Sequence, residues 1–407
     1  MTEEKKSSTT HSQHKSERYE FPSIVQHLWK PHAIACVLWF ILPFIVGSAM
    51  LYFLRVALIC ALLWKTMLVI ASHFGFATSK VTPGIADSYL QSKKSATLQE
   101  RLDDGIDMSI TYYDIVTDWY ELAWGQSFQL GGAQGFKGES LSERCRRHEY
   151  WLAARAGMHQ DQKWLDLGCG VGGPMRHLAR FTGASIKGIN LNMLQLQRAK
   201  DYISKEGLQE FCSLLYCDFA KLEEKLPLNA FDGAYALEAV CHAPDKMACF
   251  KSVFSVLKPG GYYCCYEWVL TDKFDGSDAM HRYCKNAVET LGGVPELITQ
   301  MELIQCLKSA GFNVIECVDI SNDLKKRYPD PWYTKFDPAS SIFNFPASKF
   351  GIILLQQFLR ISELLRIVPK GSAAAHKVIT SGIDGTIQSG RLGIFTPHLF
   401  VKAQKPY

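Results

Sequence analysis

The chain of 407 residues is long enough for two or three domains and a large hydrophobic core. Its 44 Lys and Arg residues nearly balance its 40 Asp and Glu residues, and a net charge of +4 argues against a nucleic-acid-binding protein. The 13 cysteines are scattered and show no metal-ligand spacing, so the sequence predicts no metal site and a reducing compartment.

The N-terminal part divides into a polar tail, residues 1–32, and an apolar segment, residues 33–72. No charged side chain occurs between residues 33 and 54, which reaches the roughly 20 residues needed to cross a bilayer. Pro43 or Gly47 could break the segment into a hairpin. We therefore predict a membrane anchor over 33–72, as one span or a hairpin. A signal peptide or a buried core helix fits this long unbroken run less well.

Three further regions follow: a mixed polar linker over 73–107, a core over 108–275 and a C-terminal region over 276–407. From residue 163 onward, apolar runs of strand length alternate with helical stretches, which predicts an α/β fold with a doubly wound, mostly parallel sheet and an α+β extension at the C-terminus. The predicted strands are 163–167, 186–189, 213–216, 233–237, 262–268, 314–318 and 399–403, and the predicted helices include 175–181, 193–206 and 245–257.

The strongest local signal is a glycine-rich loop, Gly168 to Gly173, which directly follows the first predicted strand. Glycines let the backbone turn tightly and approach a ligand, and the next helix offers free N–H groups at its start. We assign Gly168, Gly170 and Gly172 to cofactor binding. The glycine spacing by itself also fits a dinucleotide site, so it does not identify the cofactor.

The neighbours of this loop favour S-adenosylmethionine over a dinucleotide. A dinucleotide site would place an acid after the second strand, whereas this chain has Asn190 and Asn192 there. Asp166 resembles the acid that class I methyltransferases place near the methionine part of the cofactor, and Asp218 with Phe219 resembles their adenine-binding pair. The predicted cofactor residues are therefore Asp166, Gly168, Gly170, Gly172, Asn190, Asn192, Gln195, Asp218 and Phe219.

From residue 112 to the C-terminus the chain resembles the sterol 24-C-methyltransferases. The segments that carry the resemblance are 112–118, 120–128, the loop 168–176, 238–244, 266–268 and 392–397. The resemblance implies an S-adenosylmethionine-dependent enzyme that methylates carbon 24 of a sterol. It further implies an endoplasmic reticulum membrane location with a cytosolic catalytic part.

Two departures from the family pattern are present. Leu122 and Ala123 stand at the third and fourth positions of a motif that typically reads Tyr-Glu-Tyr-Gly-Trp-Gly, and Leu191 interrupts the asparagine run after the second strand. The resemblance places the aromatic motif near the sterol side chain, so the change at Leu122 is expected to affect the choice of acceptor and the number of methyl additions.

The family reaction passes through a carbocation that rearranges by hydride shift and loses a proton, so the site needs aromatic faces and a base. Tyr120, Trp124 and Phe128 are spaced to lie on one side of a helix, and we predict that they face the cation, although such a stripe also suits core packing. The candidate bases or hydroxyl anchors are Glu121, Glu238 and His242. The sequence does not rank their roles, and each also suits a structural hydrogen bond.

An amphipathic helix is predicted over 350–368, where apolar residues recur at spacings of three, four and seven. It could pack on the core, form a wall of the acceptor pocket or press on a bilayer as a lid. Two rival functions remain open at this stage, namely methylation of another lipid such as a linear triterpene, and a catalytically silent lipid-binding protein. The sequence leaves a homo-oligomer open as well.

Overall fold

A computed structural model describes residues 83–130, 139–323, 331–366 and 368–407 of the chain. No helix within these ranges is both long and apolar enough to span a membrane. The predicted tail 1–32 and the predicted anchor 33–72 lie outside the described residues.

Seven strands form one mixed sheet in the order β3-β2-β1-β4-β5-β7-β6. The first five strands run parallel, whereas β7 lies antiparallel between β5 and β6. This confirms the predicted doubly wound, mostly parallel sheet, and each predicted strand overlaps an observed one. The strands are β1 Lys163–Leu167, β2 Ser185–Asn190, β3 Cys212–Tyr216, β4 Phe231–Leu237, β5 Leu257–Leu270, β6 Asn313–Asp319 and β7 Phe395–Gln404.

Helices precede the sheet, cover both of its faces and extend beyond it. The α-helices are α1 Pro83–Ser95, α2 Leu98–Asp103, α3 Gly105–Trp124, α4 Leu141–Ala156, α5 Gly173–Thr182, α6 Met193–Lys205, α7 Lys246–Val256, α8 Ala279–Gly292, α9 Gln300–Ser309, α10 Ile320–Asp323, α11 Lys349–Leu364, α12 Ser372–Thr380 and α13 Ile383–Leu392. Short 3₁₀ helices span Phe219–Glu224, Val240–His242, Trp332–Lys335 and Ile342–Ala347.

Two hydrophobic clusters cover the two faces of the sheet. Successive side chains of a strand point to opposite faces, so Trp164 of β1 packs with α4, α5 and α6, whereas Leu165 packs with α7 and α9. Both side chains are fully buried, as expected for a parallel sheet covered on both faces. This packing fixes the carboxyl ends of β1, β2 and β4, where the candidate site lies.

Residues 83–107, within the range predicted to be a linker, form α1, α2 and the start of α3. Thr97 and Glu100 form a capping box at the start of α2. Ala86, Tyr89 and Leu90 of α1 are buried in a cluster with α3 and α12. Their spacing of three and four residues is a helical pattern, which the surrounding charged residues made less conspicuous.

The predicted helix over 350–368 begins where expected and ends earlier. The observed helix α11 ends at Leu364, and Arg366 has a backbone φ of +56° that cannot continue a right-handed helix. Leu365 and Arg366 form the turn that follows it. The C-terminal boundary at residue 368 is therefore wrong by four residues.

Candidate functional site

The glycine loop joins β1 to α5 in a backbone conformation that needs its glycines. Gly168, Gly170 and Gly172 have φ values of +72°, +55° and +76°, in the left-handed region that disfavours other residues. A β-carbon on Gly168 would also lie 2.6 Å from the Cβ atom of Ala239. Gly172 caps the N-terminus of α5 and does not line a described cavity, whereas Gly168 and Gly170 do.

A cavity of about 450 Å³ opens at the carboxyl ends of β1, β2 and β4, where parallel α/β sheets bind their ligands. We call it the cofactor cavity. Of the nine predicted cofactor residues, seven line it. These are Gly168, Gly170, Asn190, Asn192, Gln195, Asp218 and Phe219.

The amide side chains in this cavity are oriented by hydrogen bonds. Asn190 donates to Gln195 Oε1 at 2.9 Å, and Asn192 caps α6 by accepting from the Gln195 backbone N–H at 2.9 Å. Asn192 also donates to Asp114 Oδ1 of α3 at 2.7 Å. The hydrogen bonds therefore fix α6 and α3 relative to each other on one side of the cavity.

Asp166 lies beneath the glycine loop, in a small cavity that it shares with Gly168 and Gly170. Complete burial raises the pKa of its carboxyl group to about 7. Its Oδ2 atom makes no well-formed hydrogen bond to the described residues, although the Tyr235 hydroxyl lies close enough to lower this pKa. A buried acceptor of this kind is costly unless a ligand satisfies it, and a ligand with a positively charged amino group would do so.

A second cavity, of about 170 Å³, lies among aromatic side chains and is called here the acceptor cavity. Its aromatic walls come from α3, β5 and the segments around residues 128 and 336. They are Tyr113, Tyr120, Trp124, Phe128, Trp268 and Phe336.

The structure brings the predicted aromatic side chains Tyr120, Trp124 and Phe128 together, although they do not all lie on one helix. The ring centroid of Tyr120 lies 5.4 Å from that of Trp124 and 5.4 Å from that of Phe128. Helix α3 ends at Trp124, and Gly125, with φ of +75°, starts the turn that places Phe128 against Tyr120. The Tyr120 hydroxyl bonds to that of Tyr112, so its ring is held against the cavity wall.

Glu238 and His242 lie on the boundary between the two cavities, together with Tyr113 and Phe128. Glu238 has a φ of +57°, a strained conformation for this residue type that is common at functional sites. Its Oε2 atom accepts hydrogen bonds from the Leu130 backbone N–H and from Trp268 Nε1, both at 2.8 Å. These two donors stabilise a carboxylate at the boundary.

His242 belongs to the short 3₁₀ helix Val240–His242, and its ring nitrogens bond to Tyr113 and Ser109 rather than to Glu238. The Nε2 atom lies 3.0 Å from the Tyr113 hydroxyl, and the Nδ1 atom lies 3.2 Å from Ser109 Oγ. Burial lowers the pKa of His242 to about 4, so the ring is neutral near pH 7 and its unprotonated nitrogen is a weak base.

The structure does not bring Glu121 to either cavity. Its carboxylate bonds to Arg198 and to the Tyr202 hydroxyl, so it joins α3 to α6. Leu122 is 38% exposed and lines neither cavity, which removes the physical basis for an effect on the acceptor. Glu121 and Leu122 follow Tyr120 on the same helix but point away from the acceptor cavity, because successive helical residues are about 100° apart.

Sequence reasoning gave no role to several residues that shape the site. Glu267 is buried and accepts hydrogen bonds from the backbone N–H groups of Val240 and Cys241, at 2.9 and 3.0 Å, which holds the turn that carries His242. Gln129 and Thr386 line the acceptor cavity, and each has a buried side-chain oxygen without a described partner. No sequence signal linked Thr386 to this site, because it lies more than 140 residues from His242.

Two protein-family models match this chain, and many known proteins are similar to it. Residues 165–265 match a methyltransferase domain, and residues 342–407 match a sterol methyltransferase C-terminal domain. The chain is similar to the cycloartenol-C-24-methyltransferase of Arabidopsis thaliana, with 39% identity over 76% of this chain and 90% of that protein. It is 34% identical to the sterol 24-C-methyltransferase of Saccharomyces cerevisiae, over 76% of this chain and 81% of that protein.

The fold also has solved counterparts. A putative sarcosine dimethylglycine methyltransferase from Galdieria sulphuraria aligns with a TM-score of 0.56 and 22% identity, over 72% of this chain and 98% of that chain. The likeness shows that the sheet and its helices form a class I methyltransferase fold.

Proposed function

The chain belongs to the sterol 24-C-methyltransferase family, and we propose on this premise that it transfers a methyl group to carbon 24 of a sterol side chain in sterol biosynthesis. The observation that carries the proposal is the boundary between the two cavities. Tyr113, Phe128, Glu238 and His242 line both the cofactor cavity and the acceptor cavity. A methyl donor in one cavity and an apolar acceptor in the other would therefore meet at these four side chains.

The cofactor is S-adenosylmethionine, whose sulfonium supplies the methyl group. Asp166 is suited to bind the amino group of the methionine part, because its buried Oδ2 atom makes no well-formed hydrogen bond to the described residues. Gly168 and Gly170 leave room for the ligand beside the loop, and Asp218 with Phe219 is suited to bind the adenine.

The acceptor cavity is suited to stabilise positive charge. Attack of the side-chain double bond on the methyl group would use the electron pair of that double bond for the new carbon–carbon bond. The methyl–sulfur bond would break with its electron pair left on sulfur, and the other carbon of the double bond would become cationic. The faces of Tyr120, Trp124 and Phe128 attract a desolvated cation, and a carboxylate at Glu238 adds a full negative charge. We propose charge stabilisation as the role of all four residues.

We propose His242 as the group that accepts the proton released at the end of the reaction. Its neutral ring carries one basic nitrogen, and its neighbours Tyr113 and Ser109 are hydroxyls that can each donate or accept. Since Ser109 lines the cofactor cavity only, the chain Tyr113–His242–Ser109 leads from the shared boundary toward that cavity. Glu121 becomes a positioning residue that keeps α3 on α6.

The remaining assignments are proposals of the same kind. We assign 108–275 to the catalytic core and 276–407 to acceptor binding, since Phe336, Ile379 and Thr386 line the acceptor cavity. We propose that the enzyme works at the endoplasmic reticulum membrane with its catalytic part in the cytosol, because the acceptor is insoluble in water and the cofactor is cytosolic. The apolar segment 33–72 would tether it there.

The test supplies purified full-length protein and labelled S-adenosylmethionine with a sterol that has a double bond at carbon 24. We expect label in this sterol, and none in the same sterol with a saturated side chain or in a linear triterpene. Glu238→Gln is expected to lower kcat about hundredfold and to change cofactor affinity little, since it removes charge from the transition state. The exposed Glu224→Gln is the control. Labelling of the saturated sterol, or full activity of Glu238→Gln, would contradict the proposal.

A further inference from the structure

Helix α11 exposes its large apolar side chains to the outside. Ile353, Leu354, Ile361 and Leu364 are 59%, 55%, 57% and 82% exposed. On a helix with about 100° per residue these four side chains lie within an arc of about 100°, which also contains Gln357 and the 66% exposed Phe350. We call these four side chains the outer face of α11.

The inner side of the same helix packs on the protein through the buried Leu359, and its polar side chains are already bonded. Gln356 donates to the Ala373 carbonyl at 2.9 Å and bonds through its Oε1 to His376 Nδ1 at 2.7 Å. Glu363 accepts from the Ala373 backbone N–H at 2.7 Å. The helix therefore carries apolar side chains on both sides, whereas an ordinary surface helix buries its apolar stripe and exposes a polar side.

Basic side chains border the outer face. Lys349 and Arg360 lie along one edge of it, and Arg366 and Lys370 follow the C-terminal end of the helix; all four are exposed, and Lys349 also pairs with the exposed Asp384 at 3.3 Å. Within α11 the acidic residue is Glu363, which is turned inward to Ala373. An apolar stripe with a positively charged border matches a bilayer surface that contains anionic lipid.

The outer face is connected to the acceptor cavity through one helix. Helix α11 packs on α12 through the bonds at Ala373 and His376, and Ile379 and Thr380 at the end of α12 line the cavity. A membrane that supports α11 would therefore lie one helix away from the wall of the acceptor cavity.

We propose that the outer face of α11 rests on a lipid bilayer and inserts its four apolar side chains below the headgroups. The choice of a bilayer rests on the proposed function, because a sterol acceptor is dissolved in one. Sixteen residues make a face of roughly 24 by 10 Å, about 240 Å², which is far below the roughly 800 Å² per partner of a stable dimer. A second copy of the chain is thus a poorer occupant.

The first test identifies the occupant directly. The full-length chain carries a photoreactive benzoylphenylalanine at Leu354 and is reconstituted in vesicles of phosphatidylcholine and phosphatidylserine. After irradiation, mass spectrometry is expected to find lipid bound at position 354 and none when the label is at Gln197, an exposed residue of α6. A cross-link to residues 1–82 or to a second copy, equal lipid labelling at both positions, or no adduct at 354 would overturn the proposal.

The second test separates this surface from the catalytic site. In the double variant Ile353→Glu with Ile361→Glu, kcat/KM for a sterol supplied in the same vesicles is expected to fall about tenfold, while kcat/KM for that sterol on a cyclodextrin carrier stays unchanged. The control pair Leu228→Glu with Met301→Glu adds the same charge at positions 60% and 80% exposed. Equal losses with both sterol supplies, or an equal loss in the control pair, would overturn the proposal.

The two proposals can fail separately. If the native protein methylates no sterol from either supply while lipid still binds at position 354, the proposed function fails and the bilayer contact stands. If methylation proceeds from both supplies but position 354 binds no lipid, the bilayer contact fails and the proposed function stands.

Discussion

The two cavities that meet at Glu238 are built in different ways. The walls of the cofactor cavity come largely from short segments at the ends of β1 to β4, so each segment carries its own sequence signal. The acceptor cavity is assembled from α3, the segment 128–130, Trp268 of β5 and residues of α12 and α13, which lie far apart in the chain. A substitution in the first cavity should therefore change cofactor affinity, and one in the second should change the sterol step alone.

The largest expected effect is in the glycine loop. Gly170→Val places a branched side chain at φ of +55° and fills the cofactor cavity, so we expect cofactor affinity to fall at least about thousandfold by calorimetry. Gly207→Val is the matched control, because Gly207 has φ of +69° and open space around it, away from both cavities. Comparable loss of affinity in both variants would show that strain, rather than the cavity, is responsible.

Sequence reasoning reached furthest where the candidate site is local. Seven of the nine predicted cofactor residues line the cofactor cavity, because glycines, asparagines and acids follow the strand ends at a fixed spacing. It grouped Glu121 with the acceptor residues because Glu121 is adjacent to Tyr120 in sequence, whereas the structure directs the Glu121 carboxylate to Arg198 of α6. Thr386 and Trp268 reach the acceptor cavity through tertiary packing. Such packing leaves no periodic pattern and no fixed residue spacing in a single sequence.

A pH dependence tests whether Asp166 binds the cofactor as a carboxylate. Its pKa of about 7 lies above the usual range of aspartate, so lowering the pH from 7 to 5 protonates it in the free protein. Since a bound amino group needs the charged form, we expect affinity to fall about fiftyfold over that interval. Asp166→Asn should bind weakly at both pH values. A native affinity that stays flat from pH 7 to 5 would place another group at the amino end.

The aromatic wall should affect turnover without affecting the cofactor. Trp124→Ala removes a ring stacked at 6.1 Å on Phe336 and 5.4 Å from Tyr120, and a loss of about 2 kcal/mol would slow turnover roughly thirtyfold. We also expect abnormal products, since a poorly shielded cation is open to capture by water. Cofactor affinity should remain within about twofold.

Two controls sharpen this expectation. Trp151→Ala removes an exposed ring of α4, and Leu122→Tyr adds a ring at an exposed position outside the acceptor cavity. Both should keep the native product and rate. A change of product in Leu122→Tyr, or a parallel loss of cofactor affinity in Trp124→Ala, would mean that the two cavities are not separable as described.

The smallest expected effect concerns Thr386, a residue of the acceptor-cavity wall whose buried Oγ1 has no described partner. A hydroxyl left without a bond is costly, so a sterol hydroxyl bound there would recover that cost. Thr386→Val should raise the KM for the sterol about fivefold, leave cofactor affinity unchanged and not lower the Tm, because it removes an unsatisfied group of similar shape. Thr380→Val is the matched control on the same wall, since the Thr380 hydroxyl already donates its hydrogen to the His376 carbonyl at 2.7 Å and so is not an unsatisfied group. That variant should keep the native KM and lose stability.

A 3-deoxy sterol should remove the difference in KM between the native protein and Thr386→Val. A lower Tm with an unchanged KM in Thr386→Val would instead assign this hydroxyl a structural role.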